Sequence, residues 1–296
     1  MGGFEGGDEG GYWDVDTLPS LIDEQSNKPA NFHKTKCSID RDKSGYHIKA
    51  HAKLTIFLKI IADQDGHPTL LSRLIQLDDL YNTISFVPCQ CDSFTIEGYD
   101  KTNAIYKAYK ALSDYTNEPE IEEFFNEHKV VVTKGIDDTF DLGGDASNLA
   151  AFMRMTKELC NLVVSSDELA KIAHSIDREA PFFIYNYHSA NVTETGELVL
   201  PCDEEKIKVE LYIPKIRCDQ NLLYQTFQEK LLPNISLSSF EGWDELDSKS
   251  LLKRFSTPKM ANDLYAATLI AYPALKKEAK EGRFFSGSIF FKLLSS

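Results

Sequence analysis

The stretch that most constrains the fold is a run of small residues that leads directly into a good helix former, over residues 141–153. Its first half reads Asp-Leu-Gly-Gly-Asp-Ala-Ser-Asn, and its second half reads Leu-Ala-Ala-Phe-Met. Glycines let a backbone turn tightly and approach a ligand closely, and Ser147 or Asn148 can cap the helix that follows. A helix N-terminus favours phosphate because its first N–H groups have no partner within the helix. The stretch predicts either a phosphate-binding loop or an ordinary loop-to-helix junction. It is not a Walker A loop, because no Gly-Lys-Ser/Thr follows at the required spacing.

Composition limits the class of protein. The chain has 296 residues, of which 42% are hydrophobic, enough for one large domain or two smaller ones. Its formal net charge of -14 argues against nucleic acid and against an anionic membrane surface as partners. No apolar run approaches the ~20 residues that span a bilayer, and the N-terminus shows no signal pattern. We therefore expect a soluble, cytoplasmic protein, and a homodimer stays open.

The cysteines do not predict a metal site. Of six, only Cys89 and Cys91 are close in sequence, and no second close pair completes a zinc set. In a cytosolic enzyme, free thiols are the expected state.

Hydrophobic periodicity predicts mixed helices and strands, which indicates an α+β fold. Residues 1–44 are Gly-rich and acidic at their start, so we expect a disordered or tail segment there. Strands are predicted at 46–59, 83–87, 129–134, 182–185, 207–213 and 288–294, with a hairpin at 189–199. Helices are predicted at 103–112, 120–127, 150–162, from 166, 221–227, 248–255 and 261–280.

Several short motifs accompany the glycine loop, each in a fixed order along the chain. They are Ala52-Lys53-Leu54-Thr55, Glu179-Ala180-Pro181-Phe182-Phe183, Ser189-Ala190-Asn191-Val192 and Phe285-Ser286-Gly287-Ser288. In this order and spacing the chain resembles the GHMP kinases, from about residue 46 to residue 292. The resemblance implies a two-domain α+β fold with the active site in the cleft between the domains. It also implies an N-terminal ATP-binding domain over 45–192 and a C-terminal, substrate-side domain over 193–296.

The motifs are similar to those of GHMP kinases that use ATP to phosphorylate the 2-hydroxyl of 4-(cytidine 5'-diphospho)-2-C-methyl-D-erythritol in isoprenoid precursor synthesis. The resemblance implies ATP and Mg²⁺ as cofactors and this cytidine diphosphate sugar alcohol as the substrate. It assigns catalysis to Lys53, which would neutralise charge during transfer, and to Glu179, which would accept the hydroxyl proton. It assigns Mg²⁺ to Ser147 and the substrate to Thr55, His67 and Tyr224. The residues that it assigns to ATP are Leu142, Gly143, Gly144, Asp145, Ala146, Ser147 and Asn148.

The chain also differs from the family at several positions of the predicted active site. Glu179 stands where the family has a shorter aspartate, and Asp145 stands where it has a glycine. Pro68 replaces a histidine that contacts the base, and the motif at Ser286-Gly287-Ser288 is shortened. These changes leave an alternative open, in which the chain keeps the fold but has lost catalysis and serves as a nucleotide-binding or scaffold protein.

Overall fold

The computed structural model describes residues 38–64, 67–137, 140–231 and 240–294, and gives only the backbone of 62–64 and 67–68. Most of the segment predicted as a tail, residues 1–37, lies outside the described residues. Within the remainder of that segment, Asp40–Asp42 forms a short strand, β1, that pairs with the next strand.

A long antiparallel hairpin is the backbone of the fold. It consists of β2 (Gly45–Gln64) and β3 (His67–Pro88), and its alternating apolar residues confirm the strand predicted at 46–59. Three further strands complete a six-stranded sheet with β1: β4 (His128–Thr133), β5 (Ser189–Glu194) and β6 (Leu198–Pro201). A second sheet holds β7 (Val209–Tyr212), β8 (Phe284–Ser286) and β9 (Ile289–Leu293) in the order β7-β9-β8.

Helices alternate with these strands along the chain, which confirms the α+β prediction. They are α1 (Ala104–Thr116), α2 (Pro119–Asn126), α3 (Gly144–Leu159), α4 (Ser166–His174), α5 (Ala180–Tyr185), α6 (Gln220–Lys230), α7 (Ser248–Arg254), α8 (Pro258–Ala261) and α9 (Leu264–Ala271).

The hydrophobic core has two main parts. One packs α1, α3, α4 and α5 against the large sheet, with Phe86, Phe125 and Phe152 fully buried at its centre. The other joins β2 to α7 and β9, and there Phe57 stacks on Trp243 with ring centroids 5.3 Å apart. The division of the chain at residues 192 and 193 stays a prediction, and β5 of the large sheet spans that position.

The prediction of a buried strand at 182–185 is wrong, because these residues form α5. A short apolar run fits a buried strand or a buried helix equally well, so its periodicity does not distinguish them. Here Pro181 stands in the first turn, where its fixed φ suits a helix. Asn186 then ends the helix in the left-handed conformation, with φ 53°. Packing between α3 and α4 therefore buries the run as a helix.

The helix predicted over 261–280 is not continuous, because the range holds α9 and a 3-10 helix and begins at the last residue of α8. Asn262 is extended, with φ -144°, and separates α8 from α9. Next to it, Asp263 accepts hydrogen bonds from the Lys59 ammonium and the Ile60 N–H, so the break is attached to β2. Pro273 begins a 3-10 helix, Pro273–Lys277, directly after α9. Tertiary contacts and proline thus override a continuous helical pattern.

Helix α3 begins at Gly144, six residues before the predicted start at 150. Gly143 is the residue that precedes the helix, so the prediction that Ser147 or Asn148 caps it is wrong. Both side chains are buried inside the first turns instead. The expectation of free thiols is also wrong for one pair, because Cys89 and Cys91 form a disulfide.

Among the described residues, no helix combines the length and the apolar character needed to cross a bilayer.

Candidate active site

The glycine loop is attached to β2 beside Lys53. The backbone N–H of Lys53 donates to the Leu142 carbonyl over 2.9 Å. Gly143 has φ +70°, and a Cβ there would lie 2.9 Å from Cγ of Lys53 and 2.8 Å from Cζ of Phe183. Such contacts are too close for any larger side chain, and L-residues rarely adopt this φ. Glycine therefore lets the loop lie directly on the lysine.

Lys53 lies between two carboxylates. Its side chain is only 2% exposed, and Nζ lies 2.8 Å from Oε1 of Glu179 and 3.9 Å from Oδ1 of Asp141. Nζ also donates to the Thr55 hydroxyl over 3.4 Å. Burial by itself lowers the pKa of the ammonium, but the charges of Asp141 and Glu179 outweigh it, so the pKa of Lys53 is raised. Lys53 therefore stays protonated at neutral pH.

Glu179 directly precedes α5, with its carboxylate at the floor of a cleft. Removal of water by the surrounding protein raises the pKa of Glu179, and repulsion from Asp141 and Asp177 raises it further. The Lys53 ammonium opposes this shift without cancelling it. A carboxylate with a raised pKa beside an ammonium suits a general base, since a base works best when its pKa is near the operating pH.

The cleft in front of this pair has a volume of about 180 Å³. The start of α3 and the end of the glycine loop form one wall, and the segment before α5 forms another. Among the described residues, its lining consists of Asp137, Phe140, Asp141, Gly143, Gly144, Asp145, Ala146, Asp177 and Glu179. The backbone of the loop can approach phosphate, but the five carboxylates give the cleft a strongly negative wall.

The residues assigned to ATP fall into two groups. Gly143, Gly144, Asp145 and Ala146 line the cleft. The other three, Leu142, Ser147 and Asn148, are buried behind that lining and are 1%, 2% and 6% exposed. Their assignment to ATP, and that of Ser147 to Mg²⁺, therefore stays a prediction.

The residues assigned to the substrate are placed by two different parts of the chain. Thr55 is buried on β2, and its N–H donates to the Ser286 hydroxyl over 2.9 Å. Tyr224 lies on α6, and its pKa is raised by burial and by the charges of Asp141 and Glu179. The hydroxyl of Tyr224 therefore belongs to the same electrostatic site. The side chain of His67 lies outside the described residues.

Two residues of the site were missed in the sequence. Asp141 pairs with Lys53, yet in the sequence it is one of many acidic residues near the loop. Asn82 is 1% exposed on β3 and holds the loop from behind, with both ends of its amide hydrogen-bonded. An asparagine in an apolar strand is a signal for such a role, because a buried amide needs partners. Its partners lie 53 to 66 residues away along the chain, so sequence spacing does not identify them.

Comparison with known proteins gives a family model and two relatives that share a name. The family model "GHMP kinases N terminal domain" matches residues 103–186. The 4-diphosphocytidyl-2-C-methyl-D-erythritol kinase of Sulfurovum sp. (strain NBC37-1) is 47% identical over 254 residues, which cover 84% of this chain and 99% of that protein. The protein of the same name from Sulfurimonas denitrificans (strain ATCC 33889 / DSM 1251) is 34% identical, covering 81% of this chain and 93% of that protein.

A solved structure agrees on the fold. The crystal structure of a 4-(cytidine 5'-diphospho)-2C-methyl-D-erythritol kinase matches with a TM-score of 0.64 at 20% identity, covering 84% of this chain and 90% of that chain. The fold is thus that of the GHMP kinases, as the motifs predicted. The chain therefore belongs to the 4-diphosphocytidyl-2-C-methyl-D-erythritol kinase family, a family of small-molecule kinases within the GHMP kinases.

Proposed function

We propose that this protein transfers the γ-phosphoryl group of ATP to the 2-hydroxyl of 4-(cytidine 5'-diphospho)-2-C-methyl-D-erythritol, a step of isoprenoid precursor synthesis. The observation that carries the proposal is the contact between Lys53 and Glu179, 2.8 Å apart at the floor of the cleft behind the glycine loop. The names of the relatives support the choice of substrate.

The arrangement can perform an in-line phosphoryl transfer. The substrate hydroxyl oxygen bonds to the γ-phosphorus, the bond from that phosphorus to the β-phosphate oxygen breaks, and ADP leaves. Glu179 accepts the hydroxyl proton, and Lys53 neutralises negative charge on the transferring group. Such a reaction depends mainly on positioning and charge neutralisation, and both groups are held by a rigid strand and a helix start.

The glycine loop would bind the triphosphate. Gly143 and Gly144 bring the backbone to the surface of the cleft, and the N-terminus of the 16-residue helix α3 faces it. A helix of this length favours an anion at its start. The buried residues Ser147 and Asn148 would support the loop from behind.

The cleft also fits a magnesium ion that accompanies ATP. Mg²⁺ prefers oxygen ligands and usually binds through one or two carboxylates together with substrate phosphates. Asp145 is exposed in the first turn of α3 and lines the cleft, so it offers such a ligand. Ser147 is 2% exposed and fits less well. When bound, the ion would offset the charge of the phosphates, which the carboxylates of the cleft otherwise repel.

Thr55 would contact the substrate, and His67 and Tyr224 would contact its cytosine base. The proposal includes an ATP-binding domain over 45–192, a substrate-side domain over 193–296 and a cytoplasmic location, with a homodimer as an open alternative to a monomer.

Coupled ATP turnover tests the proposal directly. ADP release is measured with and without the cytidine diphosphate substrate, with the Glu179→Gln variant as the matched control. Substrate-dependent ADP release by the wild type, absent from the variant, supports the kinase. No turnover, combined with a rise in melting temperature on adding ATP, would instead support the nucleotide-binding or scaffold protein.

A further inference from the structure

Asp141 connects the glycine loop to two distant parts of the chain. One of its carboxylate oxygens, Oδ1, faces Lys53 at 3.9 Å. The other, Oδ2, accepts a hydrogen bond from Nε2 of Gln220, at the start of α6, over 2.7 Å. Its backbone N–H donates to the hydroxyl of Ser288 over 3.4 Å. The residue thus contacts β2, α6 and the turn between β8 and β9 together.

The turn between β8 and β9 is shaped around this side chain. Gly287 has φ +61°, and a Cβ there would lie 2.4 Å from both Cβ and Oδ2 of Asp141. No larger residue fits at 287 without moving Asp141. On either side of it, Ser286 accepts from the N–H of Thr55, and Ser288 accepts from Asp141 itself. This turn therefore holds Asp141 in place from the C-terminal half of the chain.

We propose that Asp141 is a positioning residue for the transfer reaction, which holds the Lys53 ammonium together with Glu179. This inference rests on the proposed function of the Lys53 and Glu179 pair. In the proposal, Gln220 and the turn at Gly287 hold Asp141, and Asp141 in turn holds the lysine. Lys53 is then shared between two carboxylates, so that it does not fully neutralise Glu179.

The charges around Glu179 support an arrangement in which the Lys53 ammonium interacts with both Asp141 and Glu179. Repulsion from Asp141 raises the pKa of Glu179, and attraction to Lys53 lowers it. The titratable and charged groups that face this site come from β2, the glycine loop, α3, the segment before α5, and α6. They are Lys53, Asp137, Asp141, Asp145, Asp177, Arg178 and Tyr224.

The Asp141→Asn variant tests the role of the charge. It keeps the size of the side chain and removes one negative charge that faces Glu179 and Lys53. We expect the acidic limb of kcat against pH to move to lower pH by roughly half a unit, the direction expected when a like charge is removed. The melting temperature identifies any loss of folded protein. A limb that stays in place in a folded variant overturns the proposal.

A second readout does not need turnover. The carboxyl ¹³C resonance of Glu179, assigned by its absence from Glu179→Gln, is titrated in wild type and in Asp141→Asn. The midpoint should fall by the same amount, and an unchanged midpoint overturns the role of Asp141 even if the wild type turns over no ATP. Absence of turnover with a shifted midpoint would count against the proposed function alone.

A further variant separates charge from position. Gln220→Ala keeps the charge of Asp141 and removes the hydrogen bond that holds it. We expect this variant to lower kcat several-fold with the limb in place, and an unchanged kcat would show that Gln220 does not hold Asp141 for the reaction.

Discussion

Asn82 on β3 donates a hydrogen bond from Nδ2 to Oδ1 of Asn148 in α3, over 2.9 Å. Oδ1 of Asn82 also accepts from the N–H groups of Gly135 and Ile136, over 2.9 and 2.8 Å. One buried amide therefore joins the chain that leads into the glycine loop to the helix that leaves it.

Asn82→Ala should loosen the loop and weaken nucleotide binding. An unsatisfied buried polar group costs about 1–3 kcal/mol, so we expect unfolding free energy to fall by about that amount or more, with a higher KM for ATP. Denaturant unfolding and ATP titrations measure both. Asn148→Ala loses only one of the three hydrogen bonds and serves as the control, with a smaller effect expected. Equal KM for ATP in Asn82→Ala and wild type would show that the amide supports the fold but not the loop.

Lys53→Met should lower the rate of transfer by about 10²–10³-fold, the usual loss when one charge that stabilises a transition state is removed. Methionine keeps much of the volume of the buried stem. Breaking a buried ion pair costs about 3–5 kcal/mol, and we expect a smaller loss of stability, because Glu179 keeps 41% of its side chain exposed. Rates are to be corrected for the folded fraction. A rate per folded molecule equal to that of the wild type would make Lys53 a structural residue.

The activity should rise with pH as Glu179 ionises. Partial burial, together with repulsion from Asp141 and Asp177, raises the pKa of Glu179 to about 7 despite the opposing Lys53 ammonium. Only the ionised form accepts the hydroxyl proton. We therefore expect kcat to be low at pH 5 and to level off above pH 8. For stability the sign is opposite: protonated Glu179 stabilises the folded state below its unfolded pKa, and this contribution is lost as pH rises through the folded pKa. A kcat independent of pH between 5 and 8 would argue against Glu179 as the base.

Substitutions of Glu179 should separate its chemistry from its length. Glu179→Gln keeps the shape but cannot accept a proton, so it should abolish transfer. Glu179→Asp restores the length that the resemblance implies for the family and should keep or raise the rate. ADP release at saturating substrate measures both. If the Gln variant is as fast as the wild type, the residue has no part in the chemistry.

Asp145→Gly should change ATP binding in a way that depends on magnesium. Two unit charges 4 Å apart repel by about 4 kcal/mol at an effective dielectric of 20. Without Mg²⁺ the variant should therefore bind ATP roughly tenfold more tightly, equivalent to about 1.4 kcal/mol. The gain should shrink as Mg²⁺ is added, because the wild type then uses Asp145 as a ligand.

Calorimetry across a magnesium series, with Asp145→Asn as the control that keeps the side-chain size, measures this dependence. Added salt should also reduce the difference between variant and wild type, since ions screen the repulsion. Weaker ATP binding by the Gly variant in the absence of Mg²⁺ would rule out repulsion by Asp145.

The local pattern of the sequence was sufficient for most of the elements around the site. Alternating apolar residues over 46–59 predicted β2, and with it the placement of Lys53 on a strand. The order of the motifs predicted the family and named the pair of Lys53 and Glu179, which the structure brings to 2.8 Å. These features depend on contacts between near neighbours or on short motifs, so they can be read from the chain alone.

Other features depend on partners that are distant in sequence. The run at 182–185 became a helix because α3 and α4 bury it. The first turn of α3 begins at Gly144 because Gly143 takes a left-handed conformation against Lys53 and Phe183. Asp141 acquires its place from Gln220, Gly287 and Ser288, which lie 79 or more residues further along the chain. Periodicity and spacing describe a residue's neighbours along the chain, whereas burial and charge pairing are set by neighbours in space, which only the tertiary structure determines.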